Sequence, residues 1–230
     1  MALSLRLETL VQAITPCGTV LDIGCDHGHV EAALIERGIA KHMIAADVSR
    51  DSLAKAKQLA RELGIENLVD CRLGDGFAVV GEDDHIDACV IAGIGGLVIS
   101  KIIEAGDAQA RKIGRLYLLP SCDTEALRGY LREHHWMIEE ETLILDAGRI
   151  YALMCVKEGA EQNPGGIFDL FGYKPVLRGD ALAKQLIEKH RAAMQKAYEQ
   201  ICRAGADDSH RAQQLQENLA QTAELLERYF

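Results

Sequence analysis

The sequence predicts a doubly wound α/β fold, with a mostly parallel seven-stranded sheet followed by a C-terminal helical hairpin. Three observations carry this prediction. Apolar strand-like runs alternate with helical runs up to about residue 157, which is the pattern of βα units in a parallel sheet. Two strand-like runs then follow each other with no helix between them. Two long segments of helical periodicity complete the chain.

The first three predicted strands are short runs that have a glycine or an aspartate within their last two residues. TVLDIG at 19–24 is the first, HMIAADV at 42–48 the second and NLVDCRLGD at 67–75 the third. A helix is predicted after each of the first two strands. The second of these helices is the amphipathic run at 49–63, and Ser49 is its expected N-cap because a serine oxygen can accept from a free N–H of the first turn.

The fourth and fifth predicted strands are the most apolar. IDACVIAG at 86–93 is almost wholly apolar, as expected of a central parallel strand that is covered on both faces. RLYLLP at 115–120 is the fifth. A helix is predicted after Gly95-Gly96, and another at 122–135.

Two β-rich runs, at 136–148 and 149–158, are joined by a short Asp-Ala-Gly turn and predict an antiparallel hairpin. An NAD-binding domain of the usual kind has a sixth parallel strand here. A terminal hairpin is instead the plan of S-adenosylmethionine-dependent methyltransferases.

The predicted domains are residues 1–158, which hold the sheet, and residues 159–230, which hold a linker and the helical hairpin. Apolar residues recur with 4-3 spacing along both helical runs, and GADDS at 205–209 separates the runs and supplies an N-cap. This spacing is typical of an antiparallel coiled-coil-like hairpin and also of an ordinary packed helix pair.

Composition limits the classes of function. The 230 residues carry a net charge of −10, which argues against nonspecific coating of nucleic acid. No run approaches the roughly 20 apolar residues of a membrane span, and no secretory signal is recognisable. The seven cysteines are scattered and form no Cys-x-x-Cys pair, so a reducing compartment fits the sequence better than a disulfide framework. We therefore predict a cytoplasmic protein that does not bind a membrane.

The turn in VLDIGCDHGHV, Val20 to Val30, indicates which cofactor the sheet binds. The dinucleotide fingerprint places a second glycine where this chain has Asp26, and a carboxylate there repels a pyrophosphate. S-adenosylmethionine has no phosphate and carries an ammonium and a sulfonium cation, so acidic residues favour it. A metal site at Asp26, His27 and His29 is not expected, because adjacent ligands on a turn have poor geometry and no fourth ligand is evident.

Acidic residues or glycines follow four successive strands. Asp22 is expected either to contact the ammonium or to fix the loop through backbone hydrogen bonds. Asp47 is expected either to bridge the ribose hydroxyls or to cap a helix. Asp75 can accept from the adenine amino group, beside Gly76. The full predicted cofactor-binding set is Asp22, Ile23, Gly24, Asp26, Gly28, Asp47, Val48, Asp75, Gly76, Ala92 and Gly93.

The stretches LDIGCDHG, AADVS, RLGDG, VIAGIGG and EEETLILDAGRIYALMCV, with the helical extension, resemble the bacterial tRNA adenine-22 N1-methyltransferases over nearly the whole chain. The resemblance implies a Rossmann-like class I methyltransferase domain, S-adenosyl-L-methionine as cofactor, tRNA as partner and a C-terminal coiled-coil domain that helps to hold tRNA. The resemblance also implies that the cofactor site is lined by Asp22, Gly24, Asp26 and His27. It implies that the target base is bordered by Gly93 to Gly96.

Adenine N1 is already nucleophilic, and its methylated ring is cationic. A nearby carboxylate therefore stabilises the developing charge or accepts a proton from N6. Asp26 is the first catalytic candidate. His27 is the second, with a purely structural role as the alternative. The predicted substrate-binding residues are Gly95, Gly96, Pro120, Ser121, Lys189, Lys196 and Arg203.

The last three of these substrate residues recur every seven positions, so they share one helix face. They form either a stripe that follows RNA phosphates or an ordinary solvated face.

The chain departs from the family pattern in three places. Gly28-His29-Val30-Glu31 stands where the family tends to have Ala-Tyr-Leu-Pro, and Arg50-Asp51-Ser52 follows the ribose-binding acid in place of Gly-Pro. Leu119-Pro120-Ser121 replaces Gln-Pro-Asn beyond the fifth strand, near the expected target base. Three other functions remain open at this point: a small-molecule methyltransferase, an NAD-dependent enzyme, and an inactive S-adenosylmethionine-binding module that contacts RNA.

Overall fold

The computed structural model describes residues 3–204 and 209–230, which form two compact units. The first unit ends at Gln162 and the second begins at Asn163. None of the helices within these described residues combines the length and apolar character that crossing a bilayer requires.

The first unit is built on seven strands: β1 (Cys17–Ile23), β2 (Ala40–Asp47), β3 (Val69–Leu73), β4 (Ala88–Ala92), β5 (Arg115–Leu119), β6 (Trp136–Asp146) and β7 (Arg149–Glu158). They form one sheet in the order β3-β2-β1-β4-β5-β7-β6. Strands β1 to β5 pair in parallel, whereas β7 is antiparallel to both β5 and β6. The predicted fold, including the terminal hairpin, is confirmed.

Six α-helices and a 3₁₀ turn accompany the sheet: α1 (Leu5–Ala13), α2 (His29–Glu36), α3 (Arg50–Glu62), the 3₁₀ turn (Gly76–Val79), α4 (Gly96–Ala105), α5 (Asp107–Ala110) and α6 (Thr124–Glu133). Ser49 caps α3 as predicted, since its side chain accepts from the Ser52 N–H. Helix α1 was not predicted. It is short, has no side-chain cap and buries only Leu10 and Val11, so its local signal is weak.

Both faces of the sheet are buried. Val20, Met43 and Val90 belong to the apolar cluster on one face, and neighbouring residues such as Leu21 and Ile91 belong to the cluster on the other. Successive side chains of a strand point to opposite faces, so a strand that is covered on both sides has to be apolar throughout. This requirement explains the continuous apolar run of β4.

The strand order reverses between β1 and β4, which lie side by side at the centre of the sheet. In open α/β sheets the loops on the two sides of such a reversal leave in opposite directions. A crevice therefore opens at the carboxyl ends of the strands, and ligands bind there. The loops that carry the predicted site residues follow β1 to β5 at this edge.

The described residues of the second unit contain four helices: α7 (Ile167–Phe171), α8 (Tyr173–Leu177), α9 (Ala181–Arg203) and α10 (His210–Tyr229). Asp180 caps α9 and Ser209 caps α10. The two long helices pack together and bury Ala183 and Ile187 of α9 and Leu225 of α10. The predicted C-terminal helix pair is confirmed. The predicted break at 205–209 falls outside the described residues except for its last residue, Ser209.

Candidate active site

The loop between β1 and α2 has a backbone that favours glycine. Gly24 has a φ of +84°, a backbone conformation that residues with a side chain rarely adopt. A Cβ at this position would meet nothing within 4 Å, so the backbone conformation, and not a lack of room for a side chain, is the reason for glycine here. Asp26 also adopts a positive φ, +47°, which aspartate tolerates better than most residues. The N–H groups of Gly24 and Cys25 both donate to the Ala46 carbonyl, at 2.8 and 3.2 Å, and so tie the loop to β2.

Asp47 connects the loops after β1 and β2. One carboxylate oxygen accepts from the Asp26 N–H at 3.3 Å, and the other accepts from the Ser49 N–H at 2.8 Å. A carboxylate offers about four acceptor positions, so acceptor capacity remains for a ligand. The alternative that Asp47 caps a helix is wrong, because Ser49 is the cap of α3. Asp47 instead orders the backbone just before that cap, and its remaining acceptor positions are compatible with ribose binding.

The residues that follow Asp47 and β3 offer an apolar surface and a second carboxylate. Val48 is 70% exposed, although it follows directly on a core strand. Asp75 precedes the 3₁₀ turn, is exposed and makes no side-chain cap hydrogen bond. Gly76 has a φ of +53°, and a Cβ there would lie 3.0 Å from Ile102. An apolar side chain between two acids suits the flat ring and polar edge of a nucleoside.

Asp22 is buried beside a second acid, Glu31, that the sequence did not reveal as part of the site. Asp22 is 3% exposed near the end of β1, and Glu31 is 1% exposed in the first turn of α2. Burial raises the pKa of Asp22 to about 7. A hydrogen bond with Glu31 partly offsets this rise, and the charge of Asp47 adds to it. Burial, and then the charge of Asp22, raises the pKa of Glu31 well above its usual range.

Asp26 and His27 lie together on the outer side of the loop. The His27 Nε2 is 3.5 Å from an Asp26 carboxylate oxygen, and both side chains are substantially exposed. The His27 ring stacks on His29 with a centroid distance of 5.6 Å. Gly28 has a packing function in addition to its φ of +77°, because a Cβ there would lie 3.0 Å from the Ala56 Cα.

Three backbone hydrogen bonds connect the loops after β4 and β5. Gly93 donates to Leu119, Ser121 donates to Ile94, and Gly96 donates to Cys122, at 3.0, 2.8 and 2.9 Å. The predicted substrate residues of these loops are therefore neighbours. Pro120 is buried, so it shapes the loop from within, whereas Ser121 is partly exposed. The Arg149 guanidinium donates to the Ser121 carbonyl from β7.

The same edge contains four residues that the sequence did not single out. Cys122 and Asp123 are exposed beside Gly95, and a Cβ on Gly95 would lie 3.1 Å from the Cys122 Sγ and 3.2 Å from Asp123 Oδ2. Leu97 and Val98 are 53% and 50% exposed in the first turn of α4. An apolar pair in a helical run ordinarily indicates core, so only their exposure in the fold marks them as a candidate ligand surface.

The other predicted substrate residues lie in the second unit. Lys189, Lys196 and Arg203 are all exposed on α9. The Arg203 guanidinium is 3.8 Å from Glu199 on the same helix.

The charges of the crevice suit a cationic nucleoside. Asp22, Asp26, Asp47 and Asp75 lie on or beside neighbouring loops. Across residues 3–204 and 209–230 none of them forms an ion pair with lysine or arginine. The backbone at Gly24 and Gly93 has open space where a side chain would otherwise extend. Unneutralised acids, open backbone and the exposed Val48 fit a ligand that has an ammonium, a ribose and an adenine but no phosphate.

Comparison with known proteins gives consistent results. A family model described as "Methyltransferase domain" matches residues 3–154. The Bacillus subtilis (strain 168) protein named tRNA (adenine(22)-N(1))-methyltransferase is 30% identical over 232 residues, covering 97% of this chain and 95% of the relative.

Solved structures share the whole architecture. The B. subtilis m1A22 tRNA methyltransferase TrmK aligns with a TM-score of 0.83 and 26% identity, covering 99% of this chain and 98% of that one. A Streptococcus pneumoniae structure in complex with S-adenosyl-L-methionine aligns with a TM-score of 0.86 and 26% identity, covering 98% of this chain and all of that one.

Proposed function

The chain belongs to the bacterial tRNA (adenine-22 N1)-methyltransferase family of class I S-adenosylmethionine-dependent methyltransferases, and from this membership we propose that it methylates N1 of adenine 22 in tRNA. The observation that carries the proposal is the extent of the match to the B. subtilis enzyme, which covers 97% of this chain and 95% of the relative. A match limited to the sheet would support methyl transfer without indicating a substrate. This one includes the C-terminal helices.

The acids at the strand ends support a specific mode of cofactor binding. S-adenosylmethionine supplies the methyl group, which is bonded to a sulfonium. Two backbone N–H groups already donate to the Asp47 carboxylate. Its remaining lone pairs would accept hydrogen bonds from the ribose hydroxyls. Val48 packs against the adenine ring, and Asp75 accepts from the adenine amino group. Asp22 attracts the ammonium from below the glycine loop.

The chemistry at the target base needs little proton transfer. The N1 lone pair would attack the methyl carbon while its bond to sulfur breaks and S-adenosylhomocysteine leaves as a neutral thioether. The protein therefore has to orient the base, exclude water and stabilise the cationic product ring. Asp26 is placed on an exposed loop with an ordered backbone and stabilises that charge or accepts a proton from N6. His27, 3.5 Å from Asp26, is the second candidate for this role.

The loops after β4 and β5 are the proposed site for the target adenine. Gly95 and Gly96 keep the edge free of side chains, and Ser121 provides a hydroxyl in place of the family's asparagine. Leu97 and Val98 provide apolar contact area for a base that has left its stack. Lys189 and Lys196 contact tRNA phosphates from the second unit. We place the reaction in the cytoplasm, where its substrate is made.

Mass spectrometry of nucleosides from a tRNA transcript, after incubation with the protein and S-adenosylmethionine, tests the proposal. We expect 1-methyladenosine from a transcript with adenine at position 22 and none from the same transcript with guanine there. Methylation of another position, or of free small molecules only, would refute the assignment. Calorimetry adds a check on the cofactor, because tight binding of NAD and none of S-adenosylmethionine contradicts the family mechanism.

Replacing the carboxylate of the proposed catalytic residue tests the mechanism separately. We expect Asp26→Asn to lower kcat by about 100-fold, since one positioned acid or base typically contributes 10²–10⁴. The dissociation constant of S-adenosylmethionine should rise far less than kcat falls, because Asp26 is only one of several acids predicted at the cofactor. If Asp26→Asn methylates at the full rate, Asp26 does not stabilise the product charge or accept the N6 proton. That role would then belong to His27, or orientation of the base alone would account for the rate.

A further inference from the structure

We propose that Glu31 is a positioning residue, which holds the Asp22 carboxylate beneath the cofactor loop through one shared proton and so sets the affinity and pH dependence of cofactor binding. The inference rests on the proposed contact between Asp22 and the ammonium of S-adenosylmethionine. Glu31 itself is 1% exposed and acts only through Asp22.

The burial of Glu31 has no explanation in hydrophobic packing. Its helix, α2, buries Val30, Ala32, Ala33 and Leu34 around it, yet a carboxyl stands among these apolar side chains. A buried ionised carboxylate without partners is very costly, so such a group either pairs or takes up a proton.

A second carboxyl is the partner that this site offers. Both Glu31 oxygens are buried, and no hydrogen bond of ordinary geometry reaches them from the described part of the chain. After burial itself, Asp22, which is 3% exposed, is the neighbouring carboxyl whose charge, and then whose hydrogen bond, raises the pKa of Glu31, whereas the backbone N–H of Glu31 lowers it. Two carboxyls hydrogen-bond only when one of them carries a proton. The pair therefore holds one or two protons and at most a single negative charge.

The surroundings reinforce this protonation. Burial is the main cause of the raised pKa of Asp22, and the negative charge of Asp47 raises this pKa further. Within the described residues, no cation is among the groups that shift the pKa of Asp22 or Glu31. Lys57 of α3 lowers the pKa of the nearby Cys71 thiol. The titratable groups that face the pair from the loop and the adjoining strands are Cys25, Asp47, Cys71 and Cys89. Burial raises the pKa of each of these three thiols, so they stay neutral.

The function of the pair follows from the charge of its ligand. Without ligand, Asp22 is partly protonated near neutral pH, and Glu31 is a neutral hydrogen-bond donor. An arriving ammonium favours the ionised Asp22, so the Asp22 proton passes to solvent and the new carboxylate keeps the hydrogen bond from Glu31. Cofactor binding is thus coupled to proton release. Glu31 stands where the family tends to have proline, so this coupling is specific to chains that carry an acid there.

Calorimetry on the full-length protein tests the inference without a mutation. S-adenosylhomocysteine is the probe, titrated near pH 6.5 in two buffers that differ in ionisation enthalpy. We expect release of about 0.7 proton per ligand bound, from an Asp22 pKa near 7 that falls on binding. A proton count of zero would overturn the proposal.

Variants at position 31 separate positioning from simple packing. Glu31→Leu removes the donor but fills the space, so we expect a roughly tenfold weaker affinity for S-adenosylhomocysteine with a Tm equal to or above that of the wild type. Glu31→Gln keeps a neutral donor and should stay within about threefold of the wild type. Glu36→Gln, at an exposed position of the same helix, is the matched control. A packing role predicts instead a lower Tm with unchanged affinity.

Asp22→Asn distinguishes failure of this inference from failure of the proposed function. If Asp22→Asn weakens binding and Glu31→Leu does not, Glu31 has no positioning role and the cofactor site stands as described. If Asp22→Asn binds as tightly as the wild type, Asp22 does not contact the ammonium and the inference falls with it. If the wild type binds no S-adenosylhomocysteine at all, the proposed function itself is wrong. Should Glu31→Leu fail to fold, the proton count of the wild-type protein decides, because zero protons released would overturn the proposal.

Discussion

Asp47 illustrates at the residue scale how one carboxylate can order the backbone and keep acceptor positions for the proposed ligand. Its two oxygens receive N–H groups from the loops after β1 and β2, so it fixes the position of Asp26 as well as its own. A ribose with two hydroxyls then meets acceptors that are already in place, which reduces the entropy cost of binding.

Asp47→Ala should weaken S-adenosylmethionine binding at least tenfold, because a charge-assisted hydrogen bond contributes about 1.5–3 kcal/mol. Asp51→Ala, at an exposed acid in the first turn of α3, is the control for the loss of one negative charge. Isothermal titration calorimetry measures both. If the folded Asp47→Ala protein has an unchanged dissociation constant for S-adenosylmethionine, Asp47 orders the backbone but does not bind the cofactor.

Asp22 should give the protein without ligand an unusual pH dependence. Its pKa is about 7 in the folded state and about 3.9 in an unfolded chain, so between these values the folded state binds more protons. The contribution of Asp22 to stability is therefore greatest below about pH 4 and is lost as the pH rises through 7. We expect the Tm of Asp22→Asn relative to the wild type to increase between about pH 5.5 and 8. Parallel Tm curves would contradict the raised pKa.

At the scale of elements, the loops after β4 and β5 pack against each other because Gly96 has no side chain. A Cβ on Gly96 would lie 2.3 Å from the Asp123 carbonyl oxygen, a backbone atom that cannot turn aside. Gly96→Ala should therefore separate the two loops, at a cost of about 1–3 kcal/mol in the free energy of unfolding, and should lower methylation more than cofactor binding.

Gly129→Ala is the control for this substitution. Gly129 lies inside α6, where a Cβ meets only the flexible end of Arg132 at 3.9 Å. Alanine there should stabilise the protein by about 0.5–1 kcal/mol through higher helix propensity. Chemical denaturation of both variants checks the contrast, and similar effects at the two positions would show that the Gly96 contact is not limiting.

A buried ion pair connects α6 to β6. The Arg128 guanidinium lies 2.7–2.8 Å from a Glu141 oxygen, and both side chains are 1% exposed. Arg128→Leu leaves a buried carboxylate without its cation and should cost about 3–5 kcal/mol. Adding Glu141→Leu should recover a large part of that loss. A double variant as unstable as the single one would show that the pair's other hydrogen bonds dominate. Urea denaturation midpoints provide the measurement.

At the scale of the whole molecule, charge is unevenly distributed between the parts of the chain. Residues 1–156 carry about −9 of the total of −10, and the remainder is nearly neutral with exposed cations on α9. An acidic catalytic unit repels RNA at distances inside a Debye length of about 8 Å. The tRNA affinity should therefore depend on the second unit.

The double variant Lys189→Glu/Lys196→Glu should weaken tRNA binding and methylation while leaving S-adenosylmethionine affinity unchanged. Lys184→Glu/Arg191→Glu changes the net charge equally on another face of α9 and is the matched control. If the stripe binds phosphates, the slope of log affinity against log salt should fall by about 0.7–0.9 for each phosphate that the variant no longer neutralises. If the two double variants weaken tRNA binding equally, the effect is one of net charge and this face of α9 does not bind tRNA specifically.

The sequence by itself determined the type and order of the main elements and the ligand class. Apolar periodicity, a serine cap and a glycine turn act within a few residues, so they are readable before any packing is known. The acids after β1, β2 and β3 were equally local signals. Parallel strands bring their carboxyl ends to one edge, so the sequence also indicated that Asp22, Asp47 and Asp75 share a site.

Tertiary packing alone decided which side chains are buried together. Asp22 and Glu31 lie on a strand and the following helix, and neither position is unusual until α2 covers the sheet and removes water from both. The contact of Gly96 with Asp123 joins two loops that are separated by a strand, and α1 has too little local signal to be found without its packing surface. Burial of a polar side chain and contacts between distant elements produce no repeating pattern in the sequence. Only the tertiary structure therefore reveals them.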